Sequence, residues 1–229
     1  MSTLWRKYAR MRPKKRSLLW VMIPIVAALL VVRWIAAPRF DPEILGQLTG
    51  TLYYKKRDDG ILNLYTSKAD LSNERLVYTH RGYGEDNENV TWFHYDQAAD
   101  LIHFIAQRGG EWTLFSVRPE GGEAIPLRKA EVSDDASFRR GYVQPESAGL
   151  KAFSRKGSLY LLRGGQEILL KRYYGFYVQD LFPGYWAYGF SPDGKYLVYG
   201  LGQRRFIMEL STRHVSRFLD GAHDVQWVD

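Results

Sequence analysis

The chain has no cysteine among its 229 residues, which excludes a disulfide framework, a thiol nucleophile and thiolate metal sites. Its five histidines, His80, His94, His103, His214 and His223, show no ligand spacing such as H-x-x-x-H. Solvent-facing strand positions are the expectation for most of them. No G-x-S-x-G nucleophile elbow occurs, and glycine-rich turns such as Arg163-Gly164-Gly165 are followed by no helical pattern that would present its N-terminus to a phosphate. Acid is missing from residues 1–16, where Arg6, Lys7, Arg10, Arg12, Lys14, Lys15 and Arg16 stand against no Asp or Glu. These seven account for the whole formal charge of +7, since 25 basic and 25 acidic side chains remain beyond them. A neutral body is not the footprint of a nucleic-acid-binding domain.

Long apolar runs are also missing, with one exception. Leu18 to Val32 contains no charge and no hydrogen-bonding side chain but the Trp20 indole, and Trp34-Ile35-Ala36-Ala37 carries the run past Arg33 to Pro38. About twenty helical residues cross the roughly 30 Å hydrocarbon core of a bilayer. Residues 17–37 are therefore expected to form one transmembrane signal-anchor helix, with Trp20 and Trp34 near opposite interfaces and the Arg33 stem reaching headgroups. The basic tail, 1–16, is expected on the cytoplasmic side against anionic lipid, which places the body outside the cytoplasm, in the periplasm or at the cell surface. A cleaved signal peptide is the competing reading. Bulky residues before Ala36-Ala37 and Pro38 after it fit cleavage poorly.

After a linker, 38–50, the composition turns to Tyr, Phe, Val, Leu and Thr in short runs punctuated by Gly and Asp, so residues 51–229 read as an all-β body. Only Pro42 to Leu48 has room for a turn or two of helix. Hairpin turns are expected at Asp58-Asp59-Gly60, Arg108-Gly109-Gly110 and Arg155-Lys156-Gly157. Leu64, Leu114, Leu159 and Met208 occupy the same place after successive turns, 50, 45 and 49 residues apart. A period of 40–50 residues with four short strands per unit is the pattern of a β-propeller blade.

In the fourth unit Phe190-Ser191-Pro192-Asp193-Gly194-Lys195-Tyr196 is followed by Leu197-Val198-Tyr199-Gly200 and Phe206-Ile207-Met208-Glu209-Leu210. This resembles the TolB-type (WD-like) β-propeller repeat, in which an inner strand ends in a tight S-P-D-G turn. Pro192 fixes φ, Asp193 bonds the local backbone and Gly194 takes a position that accepts φ > 0. The resemblance runs over roughly 48–229 and implies a small propeller of about four blades. The last segment, Asp224 to Asp229, looks like the innermost strand of a blade, and the first unit lacks that strand, so the C-terminus is expected to pair with it and close the set. An open set that closes by pairing with another chain is the alternative.

Two clusters remain. Glu85, Asp86 and Glu88 are candidate oxygen ligands for Ca²⁺ in the loop 85–89, where polar residues without an ion serve equally well. No other cofactor is implied. Nine rings crowd Tyr173 to Phe190; Tyr173, Tyr174, Phe176, Tyr177, Tyr185, Trp186 and Tyr188 form the candidate binding patch, most of them expected to pack between sheets. No catalytic motif is present, and the functional expectation is a membrane-anchored, extracytoplasmic, non-enzymatic protein-binding or scaffold module, its partner another extracytoplasmic or membrane protein. The alternative is a carbohydrate-binding protein or glycan-active enzyme using the aromatic face with acids such as Asp134, Asp135 and Glu146. Two carboxylates converging beneath an exposed ring would favour sugar.

Overall fold

The structure, a computed structural model, describes residues 23, 38–58, 60–80, 90–131, 134, 146, 147, 149–175 and 184–229. The chain divides into two units, Met1–Arg39 and Phe40–Asp229. Among the described residues no helix is long and apolar enough to cross a membrane; the candidate span, apart from Ile23, and the basic tail lie outside them. The loop holding Glu85, Asp86 and Glu88 also lies outside the described residues.

From Phe40 onward the described chain is β almost throughout. One helical turn, α1 (Pro42–Leu45), starts at Asp41, whose carboxylate accepts from the Glu43 amide, with Pro42 in the first turn. Ile44 and Leu48, four residues apart, are both buried. The stretch read as a linker is therefore packed into the body from Phe40 on. Asp41 N–H donates to Ser216 Oγ at 2.9 Å, Trp227 Nε1 donates to Thr49 O at 2.8 Å and Tyr196 Oη donates to Gln47 Oε1 at 3.1 Å.

The described residues form sixteen strands in four antiparallel sheets of four. The first sheet holds β1 (Thr51–Asp58), β2 (Ile61–Lys68) and β3 (Arg75–Tyr78). The second is β4 (Phe93–Asp96), β5 (Leu101–Arg108), β6 (Glu111–Val117) and β7 (Ile125–Lys129). The third is β8 (Glu146–Ser147), β9 (Leu150–Arg155), β10 (Ser158–Arg163) and β11 (Gln166–Lys171). The fourth is β12 (Tyr185–Phe190), β13 (Tyr196–Leu201), β14 (Arg204–Glu209) and β15 (Val215–Arg217). Each of the last three is a meander in chain order. The first is completed by the last strand, β16 (Ala222–Val228), which pairs antiparallel with β1 from Thr51↔Val228 to Lys56↔Ala222. The C-terminal strand thus supplies the strand that the first unit lacks.

The repeat read from the sequence maps onto this frame. Leu64, Leu114, Leu159 and Met208 fall in β2, β6, β10 and β14, the third strand of each sheet, and all are buried. Their spacing measures one sheet plus its connection. The three expected hairpins join β1 to β2, β5 to β6 and β9 to β10.

Three cores are described. Leu52, Tyr54, Val198, Ile207, Phe218 and Trp227 pack the first sheet on the fourth. Tyr53, Leu64, Phe93, Phe104 and Phe115 pack it on the second, while Ala152, Leu159, Leu161, Leu197 and Met208 join the third to the fourth. Leu52, Tyr53 and Tyr54 are consecutive yet all buried because β1 is covered on both faces. Trp227 is held between rings, stacked on Tyr196 and Phe218 at centroid distances of 6.5 and 6.2 Å. Gly50, at φ +94°, lies under the end of β16, where a Cβ would come within 2.3 Å of Val228 O. No larger residue fits that crossing.

Removing 222–229 should expose the inner edge of β1 and the core around Tyr54 and Phe218; the expected outcome is loss of the cooperative thermal transition, checked by calorimetry together with loss of hydrogen-exchange protection in β1. Trp227→Ala should cost about 3–5 kcal/mol in urea unfolding, as buried aromatic truncations do.

Candidate functional site

The polar residues brought together inside the body lie where β16 passes β12 and β4. Both β16 and β12 are irregular there. The β1 register slips between Tyr53 and Lys55, and Asp224 sits at φ +48°. The β12 register slips between Ala187 and Gly189, leaving Tyr188 outside the ladder. Bulges of this kind re-aim a side chain. The Asp224 carboxylate reaches Lys55 Nζ at 2.5 Å, both largely buried, and the same ammonium donates to Thr91 O and stands 5.3 Å from the Trp92 ring centroid. Lys55, on the first sheet, is thereby tied to the lead into the second.

On the other side Arg205, 2% exposed, lays its guanidinium over Tyr188 at 4.5 Å and donates through Nη1 to Gly202 O at 2.6 Å. A side chain at position 200 would strike Tyr188 at 2.8 Å and Arg205 at 3.0 Å, so Gly200 makes the space for this pair. Burial works against the Arg205 charge and outweighs the Tyr188 ring and Asp224, which favour it, so its pKa is lowered. Burial likewise pushes His223 below its ordinary value; Arg205, Lys55 and Arg57 add to this and Asp224 opposes it. Nearby, Gln226 Oε1 accepts from Tyr95 N at 2.8 Å and its Nε2 donates to Tyr95 O at 3.3 Å. One amide clasps the backbone of β4 to β16.

The aromatic candidates are divided between environments. Tyr185 packs edge-on to Tyr173 at 6.3 Å and lies against the core between the third and fourth sheets. Tyr188 packs beneath Arg205 against the core between the fourth and first. Trp186 is half-buried, and Tyr174 is 88% exposed. Phe176 and Tyr177 lie outside the described residues. The described rings therefore do not share one face, because successive residues of β12 point to opposite sides of a sheet packed on both.

The S-P-D-G residues are brought together as their types imply. Gly194 N donates to Ser191 O at 2.8 Å and Gly194 stands at φ +68°. The buried Ser191 hydroxyl donates to Asp193 Oδ1 at 2.6 Å and accepts from Tyr196 N at 2.9 Å. Burial raises the Asp193 carboxyl, and hydrogen bonds from Ser191 and Lys195 overcome it and hold the pKa low. The Ser191 and Asp193 side chains are thus used to brace the turn that joins β12 to β13.

Among the described residues no group of three His, Asp or Glu is placed to hold a metal ion. His80 departs from the solvent-facing expectation: it is 1% exposed, edge-on to Phe115 at 5.4 Å, with Nε2 2.5 Å from Gln107 O. An imidazole that satisfies a strand-end carbonyl is a packing group.

No family model and no curated protein matches this sequence. Solved structures do. TolB from Acinetobacter baumannii is 13% identical over 83% of this chain and 46% of its own, with a TM-score of 0.29. The putative TolB from Agrobacterium tumefaciens is 16% identical over 80% of this chain and 61% of its own, at 0.26. The AtxE2 isopeptidase is 11% identical over 79% of this chain and 32% of its own, at 0.28. The chain spans less than two thirds of each. Identities this low concern the fold alone, and TM-scores this low carry no argument; the blade-like reading rests on sheet order and the closing strand.

Sequence reasoning missed Lys55, Asp224, Arg205 and Gln226. A lysine in a strand reads as solvent-facing, and only the bulge in β16 brings a carboxylate to it. Lys55→Met should leave Asp224 buried without its partner and cost about 3–5 kcal/mol in urea unfolding. His223, charged more readily in the unfolded chain, should contribute stability in full above its unfolded value near 6.5 and lose it as pH falls through and below that value. Thermal midpoints between pH 7 and pH 5 should therefore fall less in His223→Gln than in the parent.

Proposed function

We propose that the chain is a single-pass membrane protein that holds a small four-bladed β-propeller outside the cytoplasm as a non-enzymatic protein-binding scaffold. For location, the support is the juxtaposition of seven positive charges with no acid and an apolar run of membrane-spanning length. The blade count follows the four sheets, each of four antiparallel strands, with the first completed by the C-terminus.

Protein binding is supported by one observation above the others. The third and fourth strands of the second sheet, β6 and β7, expose Trp112, Ile125 and Leu127 at 39, 62 and 49%. Large apolar side chains gathered on an outer edge mark interaction surfaces. That edge is closed to strand addition by Pro126 and by charged Arg128 and Lys129, which pair with Asp134 and Glu111 at 2.7 and 3.0 Å. A partner on this face would be held by side chains. The Arg128 hydrogen bond holds the Asp134 carboxyl below its usual range, so the charged guard persists at neutral pH.

The test is photo-crosslinking of the full chain in its native membrane, with the reactive residue placed at 127. A discrete protein adduct that disappears in Ile125→Asp, with the thermal midpoint unchanged, is the expected outcome. Recovery of no protein neighbour overturns the reading, and protection of the body from protease added to intact cells overturns the orientation.

A further inference from the structure

The stretch between the apolar run and the packed body has no slack. The run ends at Ala37, and packing begins at once: Asp41 N–H donates to Ser216 Oγ at 2.9 Å, and the Asp41 carboxylate lies 3.0 Å from His214 Nε2. A loose linker over residues 38–50 would have let the body stand off by about 40 Å. Because residues 40–50 are bonded to β15, β13 and β16, only the steps from Ala37 to Phe40 are left as a tether, and these reach about 11 Å at full extension. The polar layer outside the hydrocarbon core of a bilayer is roughly 5–7 Å deep on each side. With residues 17–37 across the membrane, Phe40 stands in the headgroup layer or a few ångströms above it.

The surface found at that point suits such a place. Phe40 is 47% exposed and carries the Arg217 guanidinium over its ring at 5.3 Å. It stands at the edge of a cavity that Leu71, Glu74 and Asp220 also border. Leu76, likewise 47% exposed, projects from the same side of the first sheet as Tyr65 and Tyr54, with which it is in register. The charges beside Phe40 are matched, Arg217 by Asp220 and Lys56 by Glu74 at 2.7 Å. Exposed apolar side chains among matched ion pairs would bind lipid by apolar burial, with polar groups left at the level of the headgroups. A zwitterionic phospholipid surface has that chemistry.

We propose that the Phe40 side of the body docks on the extracytoplasmic leaflet, with the Phe40 ring set into a zwitterionic headgroup layer. Docking of this face rests on the single-pass reading above and adds to it which side of the body meets lipid. Trp112, Ile125 and Leu127 belong to another sheet and contribute nothing to this face, so the protein partner and the lipid occupy different surfaces.

The chain has no cysteine, so a single introduced cysteine carries a nitroxide label at a chosen site. The experiment is power-saturation electron paramagnetic resonance on the full chain in phosphatidylcholine nanodiscs, with oxygen as the reagent that enters lipid and a nickel chelate as the one that stays in water. The labels are placed by Leu29→Cys within the apolar run, by Phe40→Cys, and by Tyr174→Cys, where the native side chain is 88% exposed. The chelate should reach 174 and be excluded at 29, while 40 loses most of the chelate access seen at 174 and keeps its oxygen access. Arg39→Cys, exposed and one residue nearer the run, gives the same readout where Phe40→Cys disturbs folding. Chelate access at 40 equal to that at 174, or loss of both reagents at 40, overturns the docking and leaves the anchor standing if 29 remains in lipid. Chelate reaching 29 overturns the anchor and the docking together.

Discussion

The pairing of β16 with β1 is the constraint on which the rest of the described structure depends. It joins residue 51 to residue 228 and leaves the first sheet with no missing strand. Its two faces serve different cores: Trp227 and Val225 fill the one shared with the fourth sheet, while Gln226 reaches the backbone of β4. A contact of such sequence separation costs chain entropy before it gains anything, and the gain comes from stacked aromatic burial on both sides. Residues 40–50 add to it, since they bond to the fourth sheet through Ser216 and to β16 through Trp227 before the chain enters β1.

The same seam collects the polar features of the interior. Lys55 and Asp224 are brought together only because the strand bulges, and Arg205 is accommodated only because position 200 has no side chain. A buried ion pair contributes little net stability compared with an apolar pair of the same shape, but it penalises every arrangement in which one partner loses the other. At this seam it penalises a slip of β16 along β1. The positive φ at Asp224 is a local cost that the surrounding packing holds in place.

Much of this architecture was legible in the sequence because β-sheets have a strict period and turns have strict chemistry. The spacing of Leu64, Leu114, Leu159 and Met208 marks four units, and Ser191 to Gly194 specifies its turn almost atom by atom. The first unit starts one strand short and the last strand stands alone, which together imply their pairing. The aromatic segment was less informative. Tyr185 and Tyr188 lie against different cores on the two sides of a covered sheet, and a sequence does not show which ring is covered by which neighbour.

The sequence by itself determined the charge partition, the apolar run, the all-β character, the repeat and the identity of the closing strand, all of which depend on local composition or on a fixed period. The tertiary structure decided the rest: that Lys55 is buried against Asp224, that Gln226 clasps a neighbouring sheet, that the stretch from Phe40 is a packed part of the body, and that Phe40, Glu74 and Asp220 border one cavity. Phe40 and Asp220 are 180 positions apart, and neither Lys55 nor Gln226 has a partner within its own hairpin that would announce its role. Their chemistry is set by register and by the bulge in β16, which exist only once the last strand has folded back onto the first.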